Sequence, residues 1–475
     1  MTDFRTAPSP PSRCFRNLVR RSLLLLSLGF PLASPAADQT RNIHETTLKN
    51  GMRVIVKEDH RAPVVASMVW YRAGSMDEFN GTTGVAHVLE HMMFKGTKAV
   101  PGGEFSRRIA AAGGKDNAFT GKDYTAYFQQ LHKSELPLAL KLEADRMQNL
   151  ILTAEEFGKE INVVMEERRW RTDDKPHSLV YEQLMATAFR AHPYRAPVIG
   201  WMNDLQNMSV GDARAWYQRW YAPNNAILVV VGDVEAKRVF ELSRKLFGDI
   251  KPHPLPERKP QTEPEQTGTR RVTVKAPAEL PYLMMGYHAP VLRDAERDWE
   301  PYALEILGGV LDGHEAARLN RELVREQRLA SSAGAGYDSV ARGPGTFLID
   351  GTPSAGKSVE ELEAGIREQI QKIVEQGVTE EELKRVKAQV IASEVFSRDS
   401  MFYSAMQIGS LETAGVSYKS LDTQLKKLQD VTAEQVQAVA KKYLTDDNLT
   451  VAVLDPQPLE QKQAAQPPKG LRHAN

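Results

Sequence analysis

The feature that most constrains this chain is that it repeats itself. Trp216–Val231 reads as a helix, a turn through Ala222-Pro223-Asn224-Asn225 and an apolar strand, and Val439–Val453 follows the same plan. Tyr221 and Tyr443, at matching places in the two stretches, are 222 residues apart. Leu152-Thr153-Ala154-Glu155-Glu156-Phe157 is echoed by Val378-Thr379-Glu380-Glu381-Glu382-Leu383, 226 residues on. Both hexads place Thr where a helix N-cap belongs, with Glu in the first turn behind it. The apolar strand Val65–Tyr71 has a third counterpart in Tyr282–Tyr287. Three echoes at a near-constant offset predict a duplicated α+β unit.

The 475 residues are about three times the usual domain size, which accommodates two such units. Basic and acidic side chains number 61 each, so no excess positive charge favours a nucleic-acid partner. The charge is uneven, however. Residues 1–36 hold Arg5, Arg13, Arg16, Arg20 and Arg21 against Asp3 alone, ahead of the apolar run Leu23–Leu32. That run is shorter than the about 20 residues a membrane span needs, and it exits through Ser34 and Ala36. This is the pattern of a secretory signal cut after Ala36. An uncleaved N-terminal anchor is the alternative. The only cysteine, Cys14, lies within this segment, so the mature chain has no thiol for a disulfide, a thiolate ligand or a nucleophile. A secreted or periplasmic location is expected, with no membrane span in the mature chain. Residues 252–268 are proline-rich and predict a linker between units at 37–251 and 269–455; the Pro, Gln and Lys-rich end, 456–475, predicts a disordered tail.

Inside the first unit, Asn50-Gly51 predicts a hairpin turn leading into strands at Met52–Val56 and Val64–Tyr71. Helices are expected over Gly84–Phe94, Gly102–Ala112, 134–150 and 153–170, with a strand pair over Ala118–Gln129. The predicted fold class is α+β: two homologous α/β sandwich halves, each a mostly antiparallel sheet with helices on one face.

The strongest chemical signal is His87-Val88-Leu89-Glu90-His91. At 100° per residue the two imidazoles lie about 40° apart on one helix face. They can grip one metal ion while Glu90 reaches a water beside it, an inverted form of the helical zinc-hydrolase arrangement. Two histidines with a structural role and a solvated Glu fit the same string. Such a metal site needs a third ligand and an open position. Glu160 and Glu167, two turns apart on one face of another helix with Val163 and Val164 between them, are candidates. A carboxylate on an apolar stripe is costly unless it is paired or ligating. An exposed acidic helix with ordinary ion pairs, Arg168 among them, is the competing reading.

Taken together, His87-x-x-Glu90-His91 and the Glu160/Glu167 pair resemble the pitrilysin/insulinase metallopeptidases, and among them a short-chain branch similar to the β subunit of mitochondrial processing peptidase. Gly113–Thr120, His192-Pro193-Tyr194 and Ile199-Gly200-Trp201 extend the likeness over nearly the whole mature chain. The resemblance implies one Zn2+ per chain held by His87, His91 and Glu167, with Glu90 as general base and Glu160 supporting the site. It implies that Asn117 and Ala118 lie on the strand to which an extended peptide substrate is added. His192 stands outside the metal motif and reads as structural. The chain would form one half of a clamshell and act as a secreted zinc metalloendopeptidase.

Two departures qualify this picture. The second unit has no histidine in Tyr302–Val310, where the metal helix would recur, so one chain holds at most one site. The family's Arg-x-x-x-Gly-Leu-x-Tyr segment, whose Arg and Tyr reach towards the substrate, reads here from Arg325 to Ser332, with Ser331 or Ser332 in place of the Tyr. The resemblance therefore implies a dimer, and the missing Tyr implies a heterodimer whose sister chain supplies the Arg/Tyr pair. A catalytically impaired scaffold subunit is the alternative function. A non-peptidase zinc hydrolase is a further one, disfavoured by the substrate-strand segment at Asn117.

Overall fold

The computed structural model describes residues 40, 42–397 and 399–459. The expected signal segment and residues 460–475 of the expected tail lie outside the described residues.

Each predicted unit contains one sheet. The first holds β1 (Ile43–Thr47), β2 (Arg53–Glu58), β3 (Val64–Tyr71), β4 (Lys115–Thr120), β5 (Thr125–His132) and β6 (Ala226–Gly232), in the order β1-β2-β6-β3-β5-β4. The second holds β7 (Arg270–Pro277), β8 (Tyr282–Ala289), β9 (Ala330–Tyr337), β10 (Gly345–Pro353) and β11 (Leu449–Gln457), in the order β7-β11-β8-β10-β9. With β1 set aside, the two orders superpose strand for strand. Even the single parallel pairing recurs, β2 with β6 and β7 with β11. The duplication read from the sequence is thus present in the topology. Pro456 and Gln457, expected in the tail, instead pair with Ala276 and Pro277 as the end of β11.

Local chemistry explains the element boundaries. Gly51 turns the β1–β2 hairpin with φ +89°, a conformation that favours glycine. The Thr153 hydroxyl accepts a hydrogen bond from Glu156 N–H at the start of the Ala154–Arg168 helix. Thr379 and Glu382 cap the corresponding helix of the second unit reciprocally.

The sheets differ from expectation in one respect: helices cover both faces. The second cover is exchanged between the units. The Pro176–Ala188 helix of the first unit lays Val180 and Leu184 on Val274, Tyr282, Met284, Ala452 and Leu454 of the second sheet. In return, the Met401–Ala414 helix of the second unit lays Ala405 and Ile408 on Met68, Trp70, Phe128 and Val229 of the first. This is why β6, read as Ala-Ile-Leu-Val-Val-Val-Gly, has no exposed side: a strand buried on both faces loses its polar alternation.

The two exchanged contacts solve the same packing problem in opposite ways. On the first sheet the bulk is on the strand, and wholly buried Trp70 lies against Gly409 of the helix. On the second the bulk is on the helix, and Leu184 lies against Gly286 of β8. A Cβ at Gly409 would lie 2.0 Å from Trp70 Cε2. Gly409→Ala is therefore expected to cost about 1–3 kcal/mol by overpacking. Gly308 lies in the Glu300–Asp312 helix, where a Cβ would meet only Phe347 at 3.9 Å. There the same substitution should gain up to about 1 kcal/mol of helix propensity. Thermal unfolding of the two variants checks both signs.

The proline-rich segment carries neither helix nor strand, yet it is tied down. Arg258 stacks on Trp220 at 4.4 Å and pairs with Asp77 at 2.7 Å. Glu263 accepts the backbone N–H groups of Arg190, Ala191 and His192 at 2.8–2.9 Å.

Candidate metal centre

The helix bearing the two histidines runs Val85–Met92, and all eight of its residues are buried. Gly84 starts it with φ +89°, and a Cβ there would lie 2.6 Å from the Ile199 carbonyl oxygen. Glu78 accepts the Gly84 and Ala86 N–H groups at 2.8 Å each, which satisfies orphan donors of the first turn. The facing helix, Ala154–Arg168, delivers Glu160 and Glu167.

His87, His91 and Glu167 converge. Glu167 Oε2 lies 3.3 Å from His91 Nε2 and 3.8 Å from His87 Nε2, and its side chain is completely buried. One donor atom from each of the three residues falls within 4.8 Å of the others. Among the described residues this is the one such group of metal-donor side chains. Glu160 stands behind His91, its Oε1 2.9 Å from His91 Nδ1, and its other oxygen pairs with Lys95. Glu90, on the histidine helix, accepts a short hydrogen bond from the Thr120 hydroxyl at the end of β4. β4 is the free edge of the first sheet. It carries Asn117, whose Oδ1 is buried with no hydrogen-bond donor among the described residues, and Ala118, which faces the core.

The electrostatics suit a cation. Burial drives the His87 imidazole down to about 3, so it stands as a neutral donor. Burial also opposes charge on His91, but the Glu160 and Glu167 carboxylates outweigh it and hold the ring up to about 9. Glu167 is pushed up by burial and pulled further down by His87, His91 and Arg171, to about 2. Burial pushes Glu90 up to about 7, the range of a working base at neutral pH. In the metal-free site a proton on His91 thus answers the buried Glu167 charge, and a metal ion would take its place.

The donor set fits zinc. Donors each about 2.1 Å from one tetrahedral ion sit about 3.4 Å apart, close to the two nitrogen–oxygen separations found. Two imidazoles and one carboxylate also match the three-ligand set of catalytic zinc sites, which leaves the fourth position open.

The second unit packs its two counterpart helices close together. Its counterpart helices carry Gly309 and Val386, packed so tightly that a Cβ on Gly309 would lie 2.5 Å from Val386 Cγ1. One of the carboxyls there, Glu305, is pushed up to about 8 by burial and by neighbouring Glu394 and Asp338.

His192 is buried; its Nδ1 accepts the Tyr194 N–H at 3.2 Å, and its ring stacks edge-on to Tyr194, away from the metal donors. Ser331 and Ser332 lie exposed on β9, and Arg325 is exposed. Tyr337 donates its hydroxyl to the Pro290 carbonyl. Arg168 does not serve the acidic face, contrary to the competing expectation of an exposed acidic helix with ordinary ion pairs. It turns away to Glu182 at 2.8 Å and to the Gly200 carbonyl at 2.9 Å. Sequence reasoning missed Thr120, Lys95 and Arg171. For Arg171 the signal existed, since it stands four residues after Glu167. Thr120 and Lys95 depend on packing between segments and left no local trace.

The family described as Insulinase (Peptidase family M16) matches residues 53–200, and the Peptidase M16 inactive domain matches residues 207–390. Zinc protease PqqE of Helicobacter pylori is 33% identical over 451 residues, covering 92% of this chain and 97% of its own. An uncharacterized zinc protease of Bacillus subtilis, YmxG, is 27% identical over 415 residues, covering 87% of this chain and 98% of its own. Among solved structures, a protease from Helicobacter pylori superposes with a TM-score of 0.83 at 32% identity, over 87% of this chain and 99% of its own. The periplasmic protease PqqL from Escherichia coli shares the fold, with a TM-score of 0.75 at 18% identity, over 89% of this chain and 49% of its own. The chain belongs to the insulinase peptidase family, M16. No described helix is long and apolar enough to cross a membrane.

Proposed function

We propose that this chain is a zinc-dependent endopeptidase, exported by its N-terminal segment and acting on peptides or unfolded segments. The observation that carries the reading is the meeting of His87, His91 and Glu167 from two helices, with Glu90 on the first of them. His87, His91 and Glu167 hold the ion. When bound, zinc supplies a Lewis acid that acidifies water and polarises the scissile carbonyl. Glu90 takes the proton of the attacking water and passes it to the leaving amine. The Thr120 hydroxyl orients Glu90, and Glu160 fixes the ring of His91 through Nδ1. Asn117 and Ala118, on free edge strand β4, take the substrate as an added strand. Binding through the main chain favours extended peptides over folded proteins and demands little of their sequence.

In its own second half, the segment expected to supply an Arg/Tyr pair to the site lacks the Tyr. Ser331 and Ser332 occupy the place of the Tyr, and the Tyr337 hydroxyl is already bound to a carbonyl. A sister chain completing the chamber follows from this, and the match to about half of the longer PqqL supports it. The test is direct. Purified chain, after dialysis against zinc, is assayed for metal content and for cleavage of a peptide library, alone and with a candidate sister chain. About one zinc per chain and cleavage that rises with the partner are expected. A chain that retains no zinc and cuts nothing under either condition contradicts the reading. N-terminal sequencing of the exported protein tests the cut after Ala36.

A further inference from the structure

The segment Glu166-Glu167-Arg168-Arg169-Trp170-Arg171 sets three arginines beside two carboxylates, and the structure gives each arginine a different task. Arg168 is buried against Glu182. Arg169 pairs with Glu166 on the exposed side. Arg171 turns inward, its Nη1 2.9 Å from Oε1 of the wholly buried Glu167. Between Arg168 and Arg171 the helix widens into a π-turn over Arg169–Asp173, closed by the Asp174 N–H on the Arg169 carbonyl at 2.7 Å. Such turns re-phase the side chains that follow them.

The two oxygens of Glu167 therefore face opposite partners. Oε2 faces the imidazoles and Oε1 faces a guanidinium. Carboxylates can bind a metal ion through one oxygen or through both, and a second metal–oxygen bond would use the position that a catalytic zinc keeps for water. We propose that Arg171 is a positioning residue for the metal centre: by engaging Oε1 it holds Glu167 as a one-oxygen ligand and keeps the remaining coordination position open. The inference rests on the zinc-peptidase reading above.

Two observations separate this role from an ordinary helix ion pair. Exposed pairs four residues apart contribute little, whereas Glu167 is fully out of water. Arg171 Nη2 is also buried and has no hydrogen-bond acceptor among the described residues. A guanidinium placed for packing alone would be expected to satisfy that nitrogen.

The test uses full-length chain, with its partner if one is needed for activity, carrying either zinc or cobalt(II) at the site. Arg171→Met keeps much of the side-chain volume and removes the charge. It should still bind one metal ion per chain, with kcat lowered about 10- to 100-fold, the usual effect of losing a ligand-orienting group, and KM little changed. The visible absorption of its cobalt form should weaken, as expected when a four-coordinate centre gains a donor. Arg171→Lys, which can still engage Oε1, should restore the band and most of kcat. If folded Arg171→Met binds metal with the wild-type cobalt spectrum and wild-type kcat, the proposal is overturned, and a lowered Tm with an unchanged spectrum overturns it equally. If the wild type itself holds no metal or cuts no peptide, the zinc-peptidase reading fails and this inference falls with it. The wild-type and variant arms thus tell the two failures apart.

Discussion

Glu90→Gln should leave a protein that folds, holds zinc and barely cuts peptide. Gln has the shape of Glu, and its carbonyl oxygen can still accept the Thr120 hydroxyl that Glu90 accepts now. What it lacks is basicity. General-base catalysis contributes about 10²–10⁴ in rate, so kcat should fall about 1,000-fold, equivalent to about 4 kcal/mol of transition-state stabilisation. Zinc content and Tm should match the wild type, because Glu90 is not among the three converging donors. Metal analysis and peptide hydrolysis on one preparation check both halves. A Gln variant that cuts at the wild-type rate would remove Glu90 from the chemistry.

The second large effect concerns Glu167. Its carboxylate is the negative charge around which His91, His87 and Arg171 are arranged. Glu167→Ala removes one ligand and also leaves the half-buried Arg171 without its counter-charge. The variant should lose both zinc and activity, and should melt below the metal-free wild type. Zinc at about 100 times its Kd should stabilise the wild type by about 2.7 kcal/mol and leave the variant unmoved. The proton held by His91 in the metal-free site adds a signature. With that ring held at about 9, zinc binding at neutral pH should release about one proton, and apparent affinity should fall about tenfold per pH unit of acidification. Calorimetry in two buffers of different ionisation enthalpy measures the release. No proton release would mean that His91 is already neutral before the metal arrives.

Much of this molecule is written in local sequence. Asn50-Gly51 marks a turn, Thr153 and Thr379 start helices, and the apolar runs at Val64–Tyr71 and Ala226–Gly232 are strands, because turn chemistry, capping and periodicity act over a few residues. The duplication was readable for the same reason, since each echo is a short pattern seen twice. His87, Glu90 and His91 were legible as a set because four residues make nearly one helical turn, and Glu160 and Glu167 because seven make two.

What the sequence could not supply was the relation between segments. Glu167 stands 76 positions after His91, and no periodicity reaches across that span; only the packing of the two helices against each other brings Oε2 within 3.3 Å of the ring. The same holds for Thr120 on Glu90 and for Lys95 on Glu160. The exchanged helices are the largest feature hidden from a linear reading. A helix that packs on its own unit and one that packs on its neighbour carry the same amphipathic pattern, because the apolar stripe records that burial occurs and not against what. Sequence alone determined which residues could bind a metal and which elements they sit on. Tertiary structure decided that they meet, that both sheets are covered on both faces, and which oxygen of Glu167 faces the histidines, since each of these depends on distances between parts of the chain that local rules never compare.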